Sequence, residues 1–95
     1  MPATVAYGRW VLRIPECPSL KEKRRVVRSL RDRARARFQI SVAETDYQDD
    51  RQMTEISAAL VASDARLAES ILARVDALMC SDPRAFLVER ETEFV

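Results

Sequence analysis

Residues 10–27, WVLRIPECPSLKEKRRVV, contain the end of one predicted strand, its stop and the start of a helix. Pro15 and Pro18 end the strand, because proline has no backbone N–H to donate to a sheet. Ser19 and Glu22 then match a capping box, in which the two side chains satisfy free N–H groups at a helix start. A strand followed directly by a helix is the first part of a βαβ unit.

Hydrophobic spacing extends this pattern in both directions. Residues 4–14 alternate as a strand does, with Trp10 and Leu12 on one face, and Gly8 indicates a bulge or a close backbone approach. The helix extends to about Arg37. Its apolar face is predicted to contain Leu20, Val26, Val27, Leu30 and Ala34.

A hairpin and a second helix complete the chain. A strand is predicted over residues 38–43, a polar turn over residues 46–50 and a third strand with Ile56, Ala58 and Leu60 facing the core. Asp64 is the predicted cap of a helix that ends before residues 81–83, and a last strand covers about residues 85–95. The second helix is predicted to bury Leu67, Ile71, Val75 and Leu78, with Met79 at the edge of its face.

The element order β-α-β-β-α-β predicts an α+β fold, a ferredoxin-like sandwich. Its four-stranded antiparallel sheet carries both helices on one face. Residues 1–95 suit one such domain, because a chain of this length supports a single core.

Composition narrows the class of protein. Hydrophobic residues make up 47% and charged residues 33%, which is typical of a globular chain. Cys17 and Cys80 are too few for a disulfide scaffold, and neither a signal peptide nor a membrane span is expected. These features predict a cytoplasmic protein with reduced thiols.

The net charge of +1 hides an asymmetry between the two halves. Residues 1–43 carry eleven Lys or Arg against three acids, whereas residues 44–95 carry five against twelve. Such a split indicates a basic surface for an anionic partner, or association between copies.

No catalytic machinery is predicted. The chain has no histidine and one glycine, so the commonest general base and a glycine-rich phosphate loop are both missing. Asp46, Asp49 and Asp50 could form a Mg²⁺ site, but a solvated turn that uses aspartate for backbone reasons is favoured. We expect no enzyme activity, no cofactor and no metal.

The first helix carries the strongest functional pattern. Four arginines recur at intervals of four, three and four residues and fall within a stripe about 60° wide, predicted to lie roughly opposite the apolar face. Arginine stripes suit phosphates, although a basic face that pairs with acids is the alternative. The predicted nucleic-acid contacts are Arg24, Arg28, Arg31 and Arg35, flanked by Lys21 and Arg25 and assisted by Lys23.

Lys23 falls within the apolar sector of this helix. Snorkelling past the sheet edge is favoured, and an anion site beside the helix N-terminus is the alternative. The topology places the loop at residues 15–19, the turn at residues 46–51 and the end of the second helix together. That end is the candidate ligand site if one exists.

The open face of the sheet is a poor platform for RNA, since base stacking needs aromatic residues. Arg9 and Arg13 are expected to pair with the C-terminal glutamates, and the face could also pack against a second copy. Its predicted members are Tyr7, Arg9, Arg13, Ser41, Glu55, Ser57, Glu89, Glu91 and Glu93.

The segment SLKEKRRVV at residues 19–27 resembles the signature of the YlxP-like bacterial family of unknown function. The resemblance continues through Arg37-Phe38, SVAE at residues 41–44, DYQD at residues 46–49 and ETEF at residues 91–94. The family often has histidine in place of Tyr47, and any role of that side chain does not carry over. The resemblance implies a ferredoxin-like fold and, from the usual neighbours of the family's genes, a ribosome-linked role.

Two functions follow as expectations. The first is a non-enzymatic accessory protein that binds RNA or a ribosomal subunit through the first helix. The second is a structural or regulatory module that self-associates through its sheet and binds a protein or a small acidic ligand.

Overall fold

The computed structural model describes residues 3–95, which form four strands and two helices in the order β-α-β-β-α-β. The strands pair in one antiparallel sheet with the order β2-β3-β1-β4. The predicted α+β, ferredoxin-like fold is confirmed. The elements are β1 (Thr4–Arg13), α1 (Leu20–Arg37), β2 (Ser41–Asp46), β3 (Met53–Ala62), α2 (Ala65–Met79) and β4 (Phe86–Phe94).

Both helices begin at the residues that the sequence predicts. Ser19 Oγ accepts a hydrogen bond from the Glu22 backbone N–H at 3.2 Å, and Asp64 Oδ1 accepts one from the Leu67 N–H at 2.8 Å. These side chains satisfy donors that have no partner inside the helix. Within residues 3–95, neither helix is long and apolar enough to cross a lipid bilayer.

β2 begins later than predicted, at Ser41 instead of Phe38. The Phe38 N–H donates to the Ala34 carbonyl at 2.9 Å, so it closes the last turn of α1 and is not free for a sheet. The predicted alternation of residues 38–43 therefore reflects a half-buried helix cap followed by a strand.

The buried face of α2 matches the prediction at Val75 and Leu78 and is displaced by one position in the first half of the helix. Leu67 is 45% exposed and Ile71 is half-buried, whereas Ala68 and Leu72 are buried beside Val75. Ala68 has no exposed surface, and its small side chain lets the helix approach the sheet closely. Met79, predicted at the edge of the face, is fully buried.

Trp10 occupies the centre of the core. Its side chain is fully buried, and its Nε1–H donates to Asp76 Oδ1 at 2.8 Å. A Cβ atom at position 8 would collide with the Trp10 ring, so Gly8 marks the predicted close approach. The register shift lies elsewhere: Val11 pairs with Glu89 and Leu12 with Leu87, so the extra residue is Val88 of β4.

Candidate functional site

The predicted stripe of arginines lies beside the buried face of α1, not opposite it. At 100° per residue, its mean direction is roughly 100° from that of the buried residues of the helix. Arg35 Nη2 donates to the Val42 carbonyl of β2 at 3.1 Å, so the stripe follows the β2 edge of the sheet. Because α1 packs over an edge strand, one flank of the helix reaches both solvent and the sheet margin. The arginine stripe consists of Arg24, Arg28, Arg31 and Arg35.

The arginine stripe has no carboxylate partner. Among residues 3–95, no stripe arginine has a carboxylate oxygen within 4 Å, although other basic residues of α1 form ion pairs. Arg25 pairs with Glu22 at 3.0 Å and Arg33 with Asp82 at 3.2 Å. The positive charge of the stripe is therefore uncompensated.

Part of the stripe forms a recess. Arg24, Arg28 and Arg31 enclose a volume of about 210 Å³ together with Val27 and Glu44. Arg31 Nε is buried, and no residue in the described range 3–95 accepts its hydrogen. A buried N–H without an acceptor is rare in proteins, and an ordered water or a ligand usually supplies the acceptor.

Lys23 neither snorkels nor binds an external anion, which corrects both predictions. Its side chain is fully buried, and Nζ donates to Glu44 Oε2 at 2.5 Å, to the Tyr47 carbonyl at 2.7 Å and to the Gln48 carbonyl at 3.4 Å. Thr54 Oγ1 donates to the same glutamate oxygen at 2.6 Å. A buried ammonium cannot contact a phosphate, so Lys23 leaves the predicted nucleic-acid set.

Glu44 does not neutralise the recess, although it contributes to its wall. Its side chain is 15% exposed, and its Oε2 already accepts from the Lys23 ammonium. Two opposite charges in direct contact present little net charge to their surroundings. Glu44 was not among the predicted site residues, although it lies two residues after the buried Val42 and so shares the inner face of β2.

The aspartates of the turn support its backbone. Asp46 Oδ1 accepts from the Tyr47 N–H at 2.7 Å, and Asp50 Oδ1 accepts from the Gln52 N–H at 2.8 Å. The left-handed residue is Tyr47, with φ of 62°, instead of an aspartate. In the part of the chain that the structure describes, no group of three or more His, Cys, Asp or Glu is placed to hold a metal ion.

The loop and the turn meet at one end of the sheet, as the topology predicts. The Ile14 N–H donates to the Gln52 carbonyl at 2.7 Å, and Arg51 Nη1 approaches the Pro18 carbonyl at 3.5 Å. A cleft of about 520 Å³ opens beside them, between residues 15–18 and the segment that contains Pro83 and Phe86. The cleft is lined by the loop and not by the turn.

Asp82 joins the C-terminal half of α1 to the segment that precedes β4. Its side chain is 3% exposed and accepts from Arg84 Nη2 at 2.6 Å and from Arg33 Nη2 at 3.2 Å. The Arg84 guanidinium, with its backbone N–H, holds the pKa of Asp82 below its usual range. Arg33 is therefore a structural residue, unlike its stripe neighbours.

Arg9 anchors a network on the open face of the sheet. Its guanidinium pairs with Glu55 at 2.9 Å, Glu89 at 3.2 Å and Glu91 at 3.6 Å. Hydrogen bonding to Glu55, and then to Glu89, raises the pKa of Arg9 above its already high value. The predicted cross-strand pairing is confirmed for Arg9, whereas Arg13 has no such partner among residues 3–95.

Comparisons with known proteins agree on one relationship. The family model described as "Protein of unknown function (DUF503)" matches residues 5–92. The "Uncharacterized protein YlxP" of Bacillus subtilis (strain 168) is 36% identical over 81 residues, which cover 85% of this chain and 88% of that protein. The family match covers both helices, β2, β3 and most of β1 and β4, and it includes the arginine stripe.

Proposed function

Since the chain belongs to the DUF503 family, as its resemblance to YlxP-like proteins predicted, we propose its function from the geometry of α1. It is a non-enzymatic, cytoplasmic accessory protein that binds structured RNA or a ribosomal subunit. The arginine stripe contacts phosphates, and Lys21 and Arg25 assist from its margin. The observation that carries this proposal is the absence of carboxylate partners around the stripe within residues 3–95.

Four arginines at these positions are better explained by binding to a polyphosphate than by exposure to solvent alone. Like charges three or four residues apart each cost about 0.2–0.5 kcal/mol in a helix. A planar guanidinium binds phosphate oxygens in pairs, and a polyanion releases counterions when basic groups replace them. The cost of repulsion is therefore offset when the stripe lies against a phosphate backbone.

The contacts around the basic residues of α1 support different roles for them in this proposal. Lys23 is buried and holds the turn after β2, so it supports the fold near the stripe without touching RNA. Arg25 pairs with Glu22 on the exposed surface, where such a pair contributes little and is easily exchanged. Arg35 donates one hydrogen bond, from Nη2, to the Val42 carbonyl, and the other nitrogens of its guanidinium can bind a ligand.

The test compares two variants that lose the same charge. One replaces Arg24, Arg28, Arg31 and Arg35 by Gln. The control replaces four exposed arginines that also form no ion pair in the described chain, namely Arg13, Arg37, Arg66 and Arg74.

Each variant is titrated with a structured RNA and cosedimented with ribosomal subunits between about 50 and 200 mM salt. We expect wild-type affinity to fall steeply with salt, and the stripe variant to bind at least about tenfold more weakly with a flatter dependence. The control should retain most of the binding. Equal losses in both variants, or an affinity that ignores salt, would exclude the proposal.

A second candidate function is self-association through the open face of the sheet. Val5 and Val61 pair in register on this face and are 39% and 67% exposed, so they form an apolar corner beside the Arg9 network. A second copy that stacks on this corner would form a homodimer, as in a regulatory module that binds a protein or a small acidic ligand. Analytical ultracentrifugation at tens of micromolar tests it: a dimer should dissociate in Val61→Glu, and a monomeric wild type contradicts it.

A further inference from the structure

We propose that the recess of Arg24, Arg28 and Arg31 is a seat for one phosphate monoester, and that the natural source is the terminal phosphate of an RNA strand. This inference rests on the proposed RNA-binding function and sharpens it. It assigns a single anchored group to the recess, while the remainder of the stripe follows the backbone.

The three side chains can converge on one point. They lie at positions i, i+4 and i+7 of α1, so their backbone origins span about 10 Å along the helix axis. The enclosed volume of about 210 Å³ equals roughly seven water molecules at about 30 Å³ each. A phosphate group with several of its waters fits such a space.

One donor in the recess already lacks an acceptor. Arg31 Nε is buried and unbonded within the described residues, while the residue as a whole is only half-buried. In an arginine fork, Nε and a terminal nitrogen bind two oxygens of the same anion. A phosphate in the recess would give the Nε–H the acceptor that residues 3–95 do not give it.

The charge of the recess favours a monoester over a diester. Glu44 is balanced by the buried Lys23, so the three arginines that line the recess have no carboxylate partner among residues 3–95. A phosphate monoester carries a charge of about −1.5 to −2 near pH 7 and has three terminal oxygens. A phosphodiester within a chain has a single charge and two free oxygens, and it would leave part of the donor set unused.

The experiment uses one short RNA in three forms, with a 5′-phosphate, a 3′-phosphate or hydroxyls at both ends. We expect the wild-type protein to bind one phosphorylated form about tenfold more tightly than the hydroxyl form. Inorganic phosphate should remove this preference by competition. Arg28→Gln should abolish the preference, whereas Arg66→Gln on α2 should keep it.

Arg31→Lys distinguishes a directional hydrogen-bonding contact of the guanidinium from a general effect of its positive charge. Lysine keeps the charge but lacks the fork, so the preference for phosphorylated ends should disappear while binding of the hydroxyl form changes little. The Arg31 Nε–H resonance in a ¹⁵N spectrum of the wild-type protein should shift when inorganic phosphate is added. If this resonance does not shift, the recess does not bind phosphate. This measurement uses the wild-type protein, so it remains valid if a variant fails to fold.

The outcomes separate the two proposals. RNA binding that needs the stripe but ignores terminal phosphates, without competition by inorganic phosphate, overturns the seat and leaves the proposed function standing. Phosphate binding that Arg28→Gln removes, in a protein that binds no RNA, overturns the RNA function and supports the seat with a small phosphorylated molecule as its source. If neither ligand binds, both proposals fall.

Discussion

The arginine stripe of α1 and the single Arg9 of the open sheet face lie in opposite electrostatic surroundings. Arg9 has three glutamates within 3.6 Å, from β3 and β4. The four stripe arginines have no carboxylate partner in the described part of the chain, and the nearby Glu44 is engaged by Lys23. Arginine is thus engaged in ion pairs within the fold at Arg9 of the open sheet face, and among the described residues it is free of ion pairs in the arginine stripe of α1.

This difference shows that the placement of acids, and not the number of arginines, decides which arginines are ion-paired and which remain free. The acidic second half of the chain places the glutamates of β3 and β4 on the open face of the sheet, away from α1. Asp82 reaches the opposite flank of α1 and binds Arg33 there. The flank along β2 receives no free carboxylate, so the positive charge of the basic half remains exposed there.

The largest effect is expected at Lys23, where the basic helix meets the core. Lys23→Met should lower the free energy of unfolding by about 3 kcal/mol, because it leaves the Glu44 carboxylate in a largely buried site without its cation. Urea denaturation measures this loss. Lys21→Met, an exposed neighbour, should stay within about 0.5 kcal/mol of wild type.

A double variant tests whether the loss comes from the broken pair. Glu44→Gln combined with Lys23→Met removes both charges and should recover part of the stability that Lys23→Met loses. If Lys23→Met lowers the free energy of unfolding no more than Lys21→Met does, Lys23 stabilises the fold as little as an exposed residue. The contrast between paired and free cations then does not apply within α1.

The next effect concerns Asp82, on the flank of α1 that does have a carboxylate. Asp82→Asn should cost about 1–2 kcal/mol at pH 7, since it removes charge-assisted hydrogen bonds from two partly exposed arginines. The folded-state pKa of Asp82 is lowered, so its contribution is fully present above the unfolded pKa near ~3.9 and is lost as pH falls through the lower folded value.

Urea unfolding at pH 7 and near pH 3 should therefore show the gap between wild type and Asp82→Asn narrowing in acid. Asp49→Asn is the matched control, because that aspartate lies exposed in the turn. A gap that stays constant with pH would mean that the carboxylate charge is not what stabilises this end of the helix.

The fold could be predicted from the sequence because its strongest patterns are local. The helix caps at Ser19 and Asp64 and the alternation around Trp10 depend on neighbouring residues, and the structure places all three as expected. Only the first half of the predicted buried face of α2 was wrong, by one position, because packing against the sheet decides whether Ala68 or Leu67 faces inward.

The candidate site could be predicted only in part, because its decisive contacts join residues that are far apart in the chain. The stripe follows from helical spacing alone. The burial of Lys23 could be predicted only if its partner, Glu44 of β2, were known to face it. A lysine on the apolar face of a helix and a glutamate on the inner face of a strand, read together, would have indicated a buried pair.

A smaller effect compares the two regions directly through one substitution at two places. Arg9→Gln should lower the urea midpoint, because it leaves Glu55, Glu89 and Glu91 close together without their cation. Arg28→Gln should leave the midpoint unchanged or raise it slightly, since Arg28 forms no ion pair in the described chain and has two other stripe arginines at helical spacing against one acid, Asp32. The loss at Arg9 should be smaller than that at Asp82, because exposed ion pairs are screened by water and salt.

Both midpoints are measured in the same buffer, at low and at high salt, since screening should reduce the loss in Arg9→Gln. A midpoint that falls equally in the two variants would show that Arg28 has a stabilising partner, and the contrast between the regions would disappear.

The smallest effect on stability is expected from a charge reversal within the stripe. Arg28→Glu places a carboxylate between Arg24 and Arg31, four residues before it and three after it, and should stabilise the helix by about 0.5 kcal/mol. The same change should weaken RNA binding more than Arg28→Gln does, because it adds repulsion to the loss of a contact. Opposite signs in urea denaturation and in RNA titration would mean that the wild-type residue is kept for binding at the expense of stability, as functional surfaces often are. If Arg28→Glu binds RNA as wild type does, the free charge of this flank has no part in RNA recognition, whatever its lack of partners suggests.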